Sequence, residues 1–476
     1  MKNRLLIPII VFILILCLAL TIVGIASVVR FINQNPLGEL EPPRETATLP
    51  SLSSPVKATD EGTVDPEIPQ ANTIPEASPD AINPGIMSQM ETIQEQIIHM
   101  RGLDPQGEFS REIQSTEELR QDLVEAFDEE MNEYESWEYT LTLSIFGLLD
   151  ESFDIYSFHV DLLTEQIAGY YDQETKEMVL VAGGEFGGPE RMTYAHEYIH
   201  ALQDQNFDIK EGLDYNDESC EENSERCAAI EALLEGDASL SEAQWFMHYA
   251  TEQDYEDLMA FYGDMEMPVM DQAPAFLGQD LLFPYQYGYD FVQYLFDRGG
   301  WETVNQAYQN APVSTEQILH PERYPEDIPS LVNIPDLLPI LGDGWELIDQ
   351  DVIGEWYTYL ILGFGLDENA RLDRSNAAQA ADGWEGDVYA VYYQEQSENA
   401  VMIYKALWQS DAEAKDFATA FREYATGRFG NPIDEQELIL WQAVDGFHAF
   451  YQENSFTTWI FASEQTLVEG IWKTLK

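Results

Sequence analysis

His196-Glu197-Tyr198-Ile199-His200 places two imidazoles four residues apart with a carboxylate beside the first. On a helix, residues i and i+4 stack on one face, so both rings can reach one metal ion. Glu197 then stands where a general base for hydrolysis belongs. Such a centre needs a third protein ligand. Residues 228–240 read as a second helix with two carboxylates four apart, Glu231 and Glu235, and either can turn toward the same ion.

The first motif works only if its segment is helical. Gly187-Gly188-Pro189 is a breaker followed by a proline suited to a first helical turn, and Glu190 adds an acid at the positive end of the helix dipole. Met192, Ala195, Ile199 and Leu202 then recur at helical spacing, with His196 and His200 on the adjoining stripe. A metal held there is expected at the edge of the core. The bland alternative is a pair of polar residues on a solvated helix face.

H-E-x-x-H followed some tens of residues later by Glu235-Gly236-Asp237-Ala238 resembles the gluzincin metallopeptidases. The resemblance implies zinc (Zn2+) held by His196, His200 and Glu235, with a water in the fourth position and Glu197 as base. Thermolysin-like members put the ligand first and an acid four residues later, which would make Glu231 the ligand. Upstream, residues 168–181 read as strand, turn, strand, and gluzincins carry an edge strand here with which extended peptides pair. Ala168-Gly-Tyr-Tyr-Asp172 and His196-Glu-Tyr-Ile-His-Ala-Leu-Gln-Asp-Gln205 resemble a group of membrane-attached prokaryotic gluzincin-like proteins, over residues 160–330.

Peptide hydrolysis also needs a donor for the developing oxyanion. Tyr285-Gln-Tyr-Gly288 is similar to the Y-x-K-G of aminopeptidase-type gluzincins, with Tyr287 replacing the lysine, so Tyr285 is one candidate. The other is His320, in front of Pro321. Packing at the start of a helix and a satisfied loop histidine are the respective structural alternatives.

Composition sets the compartment. Leu5 to Val29 is uncharged and long enough to span a bilayer, and Lys2 and Arg4 before it place the N-terminus in the cytoplasm. The alternative is a cleaved signal peptide and a secreted protein. Residues 34–85 hold ten of the 23 prolines without hydrophobic periodicity, the composition of an extended tether. Cys220 and Cys227, outside the cell, are expected to form a disulfide. The net charge of −66 disfavours nucleic acid and anionic lipid as partners, and suits a secreted or high-salt protein.

The expected organisation is a membrane anchor (1–33), a tether (34–85), a metallopeptidase domain (86–335) and a C-terminal α+β region (336–476). The fold class is α+β: a mainly helical zincin-like core with a small active-site sheet, and a β-β-α-β-β-α unit at the C-terminus. The function expected is a membrane-anchored, extracytoplasmic zinc metallopeptidase acting on peptides or proteins. A surface binding or scaffold protein on an inactive zincin fold is the competing class, and a zinc hydrolase of non-peptide amides or esters a third. Oligomeric state is left open.

Overall fold

The computed structural model describes residues 82–130, 133–181 and 186–475. The expected membrane segment and most of the tether lie outside these residues, and no described helix is long and apolar enough to cross a membrane. The first helix, α1 (Pro84–Arg101), starts inside the last two residues assigned to the tether, because Pro84 suits a first turn and Asn83 caps it. Met90, Ile93 and Ile97 form its buried stripe.

Strand β1 (Ser110–Gln114) leads into α2 (Thr116–Glu130), where Ser115 and Glu118 exchange the hydrogen bonds of a capping box. The helix α3 (Glu133–Phe146) comes next, followed by α4 (Ile155–Gln166). The hairpin β2 (Gly169–Asp172) and β3 (Glu177–Val181) forms where it was expected, turning at Asp172, which accepts from the backbone of Glu174 and Thr175. β3 pairs in parallel with β1, so among the described residues β2 is an edge of this three-stranded sheet.

Helix α5 (Gly188–Phe207) carries the H-E-x-x-H segment, and the side chain of Glu190 accepts from the Gly187 amide at its start. Every residue from Met192 to Asp204 is buried, so the motif sits inside the protein rather than at the core edge the sequence suggested. The short α6 (Asp217–Glu222) precedes α7 (Ser224–Tyr249), the longest helix among the described residues, and a Cys220–Cys227 disulfide ties the two. α7 stops at Tyr249 and α8 (Glu252–Asp264) follows.

Helix α9 (Ala275–Asp280) leads to α10 (Phe283–Gly299), which breaks at Gly300 (φ 66°) before α11 (Trp301–Ala307). α10 lies along α7 at unusually close range. A methyl group on Gly236 would meet the Gly288 carbonyl oxygen at 2.1 Å, and one on Gly288 would meet the Ala232 carbonyl oxygen at 2.1 Å. The glycines of Glu235-Gly236 and of Tyr285-Gln-Tyr-Gly288 are therefore contact points of two backbones, positions that no side chain fits.

After α12 (Thr315–Leu319) and α13 (Leu338–Leu341) the chain enters a seven-stranded antiparallel sheet, the β part of the α+β fold. Its strands are β4 (Glu346–Asp351), β5 (Trp384–Gln394), β6 (Asn399–Trp408), β7 (Asp434–Glu435), β8 (Ile439–Gln442), β9 (Phe447–Glu453) and β10 (Phe456–Ala462), ordered β4-β5-β6-β10-β9-β8-β7. Helices α14 (Gly354–Phe364) and α15 (Arg374–Ala381) separate β4 from β5, α16 (Asp411–Phe429) follows β6, and α17 (Gln465–Leu475) closes the chain. The expected order missed β4, β7, α14 and α15. Strands β9 and β10 form a hairpin whose turn falls between Glu453 and Phe456, with Asn454 at φ 55°.

Alternation along these strands divides two cores. Met402, Tyr404 and Ala406 face the core shared with α7, α10 and α16, while Val401 and Ile403 face α17. Helix α7 sits between this shared core and a second one built from α1, α5 and the small sheet. Five acids on α7 are consequently buried: Glu225, Glu231, Glu235, Asp237 and Glu242.

Buried carboxylates give the fold a definite pH dependence. Burial pushes Asp280 and Asp387 up to about 6 and Asp351 up to about 7. Their folded values lie above the unfolded ones, so the stability linked to them is complete below the unfolded carboxylate range and is lost as pH rises through 6 to 7. His159 and His448, pushed down to about 4 by burial, act in the opposite direction, but only as pH falls below about 6.5. The expected outcome is a lower thermal midpoint at pH 8 than at pH 6 at fixed salt; an equal or higher midpoint at pH 8 would refute it.

Candidate metal centre

Helices α5 and α7 bring His196, His200 and Glu235 together. The two Nε2 atoms are 3.0 Å apart, and Glu235 presents Oε2 to His196 Nε2 and Oε1 to His200 Nε2, each at 3.3 Å. A tetrahedral zinc with bonds of 2.0–2.1 Å spaces its ligand atoms about 3.3 Å apart. The three donors therefore stand at the separations zinc requires. Their chemistry fits too, with two imidazoles and one carboxylate.

The ring nitrogens facing away from the centre fix this arrangement. His196 Nδ1 lies 3.3 Å from Glu242 Oε2, and His200 Nδ1 lies 2.9 Å from Gln203 Oε1. Gln203 donates its amide N–H groups to the Leu234 carbonyl at 2.9 Å and to Asp237 at 3.3 Å. Its oxygen is thus left to accept, so His200 in its neutral form carries the proton on Nδ1 and turns the Nε2 lone pair inward. Glu242 imposes the same tautomer on His196.

Burial pulls both imidazoles down, but the surrounding carboxylates outweigh it. Glu235 and Glu242 hold His196 up at about 10, and Glu235 raises His200. A site that concentrates this much negative charge around two imidazoles is suited to a cation. Glu197 is fully buried and close enough that its charge acts on both histidines.

Asp237, two residues after Glu235, anchors the assembly. It accepts both Nε and Nη2 of Arg101 at 2.8 Å, the Tyr308 hydroxyl at 2.7 Å and Gln203. Arg101 also stacks on Trp301, 4.3 Å from the ring centroid. Sequence reading missed Arg101, Gln203 and Glu242. Two of these had a signal: Gln203 is three residues after His200, and Glu242 is two turns after Glu235 on the same face. Arg101, more than 130 positions from Asp237 in the chain, had none.

Glu231 is not among the three groups whose ligand atoms converge. It lies 7% exposed on the wall of a cleft of about 20 Å³ that it shares with Tyr171, Gln173, His200, Tyr215 and Glu235, room for roughly one water. Tyr171 comes from the edge strand β2, which therefore flanks the centre. The two residues expected as oxyanion donors do not line this cleft. Tyr285 is buried in the first turn of α10. His320 pairs with Glu355 at 2.9 Å and approaches Asp382 at 3.9 Å, where Arg323 already donates to the same Asp382 oxygen at 2.6 Å. Tyr171 and Tyr215 are the tyrosines at the cleft.

The second layer lends itself to a direct test. Replacing Gln203 by Leu, or Glu242 by Gln, removes the partner that orients one imidazole, and zinc affinity is expected to fall about 10- to 100-fold. Competition with a chromophoric chelator measures this; affinities equal to the parent protein would show that the ring orientations are set by packing alone.

Residues 345–471 match the family model of a domain of unknown function, DUF8575. The match spans the unit from β4 to α17 and stops short of the helices that build the metal centre. No curated protein and no solved structure matches the chain.

Proposed function

We propose that this protein is a zinc metallopeptidase of the gluzincin type, with a mainly helical zincin-like core. The convergence of His196 Nε2, His200 Nε2 and Glu235 at zinc spacing, with both Nδ1 atoms tied down, is the observation that carries this reading. His196, His200 and Glu235 would hold the ion. Bound zinc supplies a Lewis acid and lowers the pKa of a coordinated water to about 7.

The rest is the work of the chain's own residues. Glu197 takes the proton of the attacking water and returns it to the leaving amine. Glu242 and Gln203 hold the imidazoles in register. β2, the edge strand beside the cleft, supports an extended peptide as substrate. Tyr171 and Tyr215 join Tyr285 and His320 as donors to be tested for the developing oxyanion. We further propose that residues 5–29 anchor the protein in a membrane with the catalytic part outside the cytoplasm, an arrangement supported by the charge pattern of the N-terminus and by the Cys220–Cys227 disulfide.

The test is the zinc content of the purified protein beside its His200→Ala variant, followed by casein cleavage with and without chelator. One zinc per chain, lost in the variant, with chelator-sensitive cleavage is the expected result. No zinc in either protein would remove the proposal and favour a scaffold.

A further inference from the structure

Four of the five buried acids on α7 have identified partners: Glu225 accepts from Thr315, Glu235 and Glu242 face the imidazoles, and Asp237 holds Arg101. Glu231 is the exception. Its side chain makes no hydrogen bond or ion pair among the described residues, although more than nine-tenths of it is buried. Burial raises such a carboxyl well above the usual carboxylate range, and only a cation from outside the chain would hold it ionised.

Glu231 faces two spaces. One is the cleft at His200 and Glu235; the other is a cavity of about 170 Å³ that shares Glu231 and Tyr215 with the cleft and runs on to β4 and α14. Among the described residues, six carboxylates line this cavity, Glu221, Glu225, Glu231, Asp280, Asp349 and Asp351, and no Lys, Arg or His does. Neutral donors serve several of them. Trp356 and Tyr357 donate to Asp280, Thr142 and Tyr389 to Asp349, and the Ser224 and Val352 amides to Asp351. Between the acids the wall is apolar and aromatic, with Phe146, Phe283 and Trp356.

We propose that this cavity is the specificity pocket of the metal centre and takes the side chain of a lysine or arginine of a peptide, with Glu231 as its counter-ion. This assignment rests on the peptidase reading for its place in catalysis. A long methylene stem matches the aromatic walls, and a cationic head matches Glu231 and the acids beyond it. A metal ion is the poorer occupant. Among the described residues, ligand atoms of three or more such groups converge within 4.8 Å only at His196–His200–Glu235 and at His320–Glu355–Asp382. A peptide's α-amine is also poorer, because it has no stem to fill a space that extends from α7 to β4. The DUF8575 region, through residues 348–353 on the wall, then contributes directly to substrate choice.

The experiment uses the full chain carrying Glu197→Gln, so that ligands bind without turnover, with zinc measured in the same samples and binding followed by calorimetry at 150 mM salt. The probes are acetyl-arginine amide and acetyl-lysine amide, the neutral acetyl-norleucine amide, and norleucine amide with its free α-amine. We expect one site per chain, at least tenfold tighter binding of the two cationic side chains than of acetyl-norleucine amide, and loss of that preference in Glu231→Gln with zinc retained. Asp280→Asn, on another wall of the cavity, is expected to weaken the same preference.

Equal binding of the neutral probe, or an undiminished preference in Glu231→Gln, would overturn the proposal. So would tighter binding of norleucine amide than of acetyl-arginine amide, which assigns the pocket to a chain terminus. Loss of zinc in Glu231→Gln would overturn it as well, by making Glu231 a ligand. Glu231→Gln keeps the size and polarity of the side chain and is expected to melt no lower than its parent, so a folding failure is read separately from lost binding. If the protein with Glu197 intact holds no zinc and cleaves nothing, yet the cationic preference and its loss in Glu231→Gln are seen, the peptidase reading fails and the cation pocket stands.

Discussion

Glu197→Gln is expected to keep one zinc per chain and to lose peptide hydrolysis by about 10²- to 10⁴-fold, the range that a positioned general base contributes. The two effects separate because Glu197 is not one of the three atoms that converge; His196, His200 and Glu235 make that set without it. Glutamine preserves size and buried hydrogen bonding but cannot accept a proton at neutral pH. Zinc analysis and kcat/KM on a quenched-fluorescence peptide, run on the same preparation, read the two quantities. A variant that cleaves at the parent rate would take the base role from Glu197. One that loses its zinc would make Glu197 a structural support of the centre, and the kinetic result would then say nothing about proton transfer.

Arg101→Met is expected to cost about 3–5 kcal/mol of folding stability, the range found when one member of a buried ion pair is removed. Both side chains of the Arg101–Asp237 pair are fully buried, and the guanidinium gives Asp237 two bonds of 2.8 Å. Without it, Asp237 keeps only the neutral donors Tyr308, Gln203 and Ser241. Burial raises an unpaired carboxylate toward protonation, so the fold loses an ion pair and a charge in one step. The double variant Arg101→Met/Asp237→Asn should regain most of the loss, because it leaves no buried charge behind. Denaturant midpoints for the parent, both single variants and the double variant measure this coupling. Losses that simply add would show that the pair does not act as a unit.

The consequence reaches the metal centre. Asp237 accepts from Gln203, Gln203 accepts from His200, and so Arg101 stands three links from His200. Arg101→Met is therefore also expected to weaken zinc binding, by less than the loss of Gln203 itself.

The shared helix face of His196 and His200 and the small hairpin were legible in the chain because their determinants are local. Helical spacing puts His196 above His200, a breaker and a proline start α5, and Asp172 turns the hairpin within four residues. Glu235 and Glu231 were both visible as carboxylates four apart, and a periodicity of 3.6 makes such a pair equivalent from sequence. Tertiary packing separated them. Gly236 and Gly288 let α10 lie directly on α7, which fixes the rotation of α7 and turns Glu235 to the imidazoles and Glu231 to the cavity.

The acids of α7 show the same division. Their number can be read from the chain, but burial and pairing depend on which elements cover the helix, and those come from residues 84 to 462. Arg101 reaches Asp237 from α1, and Thr315 reaches Glu225 from α12. The C-terminal sheet supplies the far wall of the cavity. Charge pairing and cavity formation are long-range properties, set by the distance between elements rather than by spacing along one of them. The sequence alone thus determined which residue types could do chemistry and on which helices they sit. Only the tertiary structure decided which carboxylate meets the histidines, which atoms orient them, and that one buried glutamate is left facing an acidic, aromatic cavity with no cation of its own.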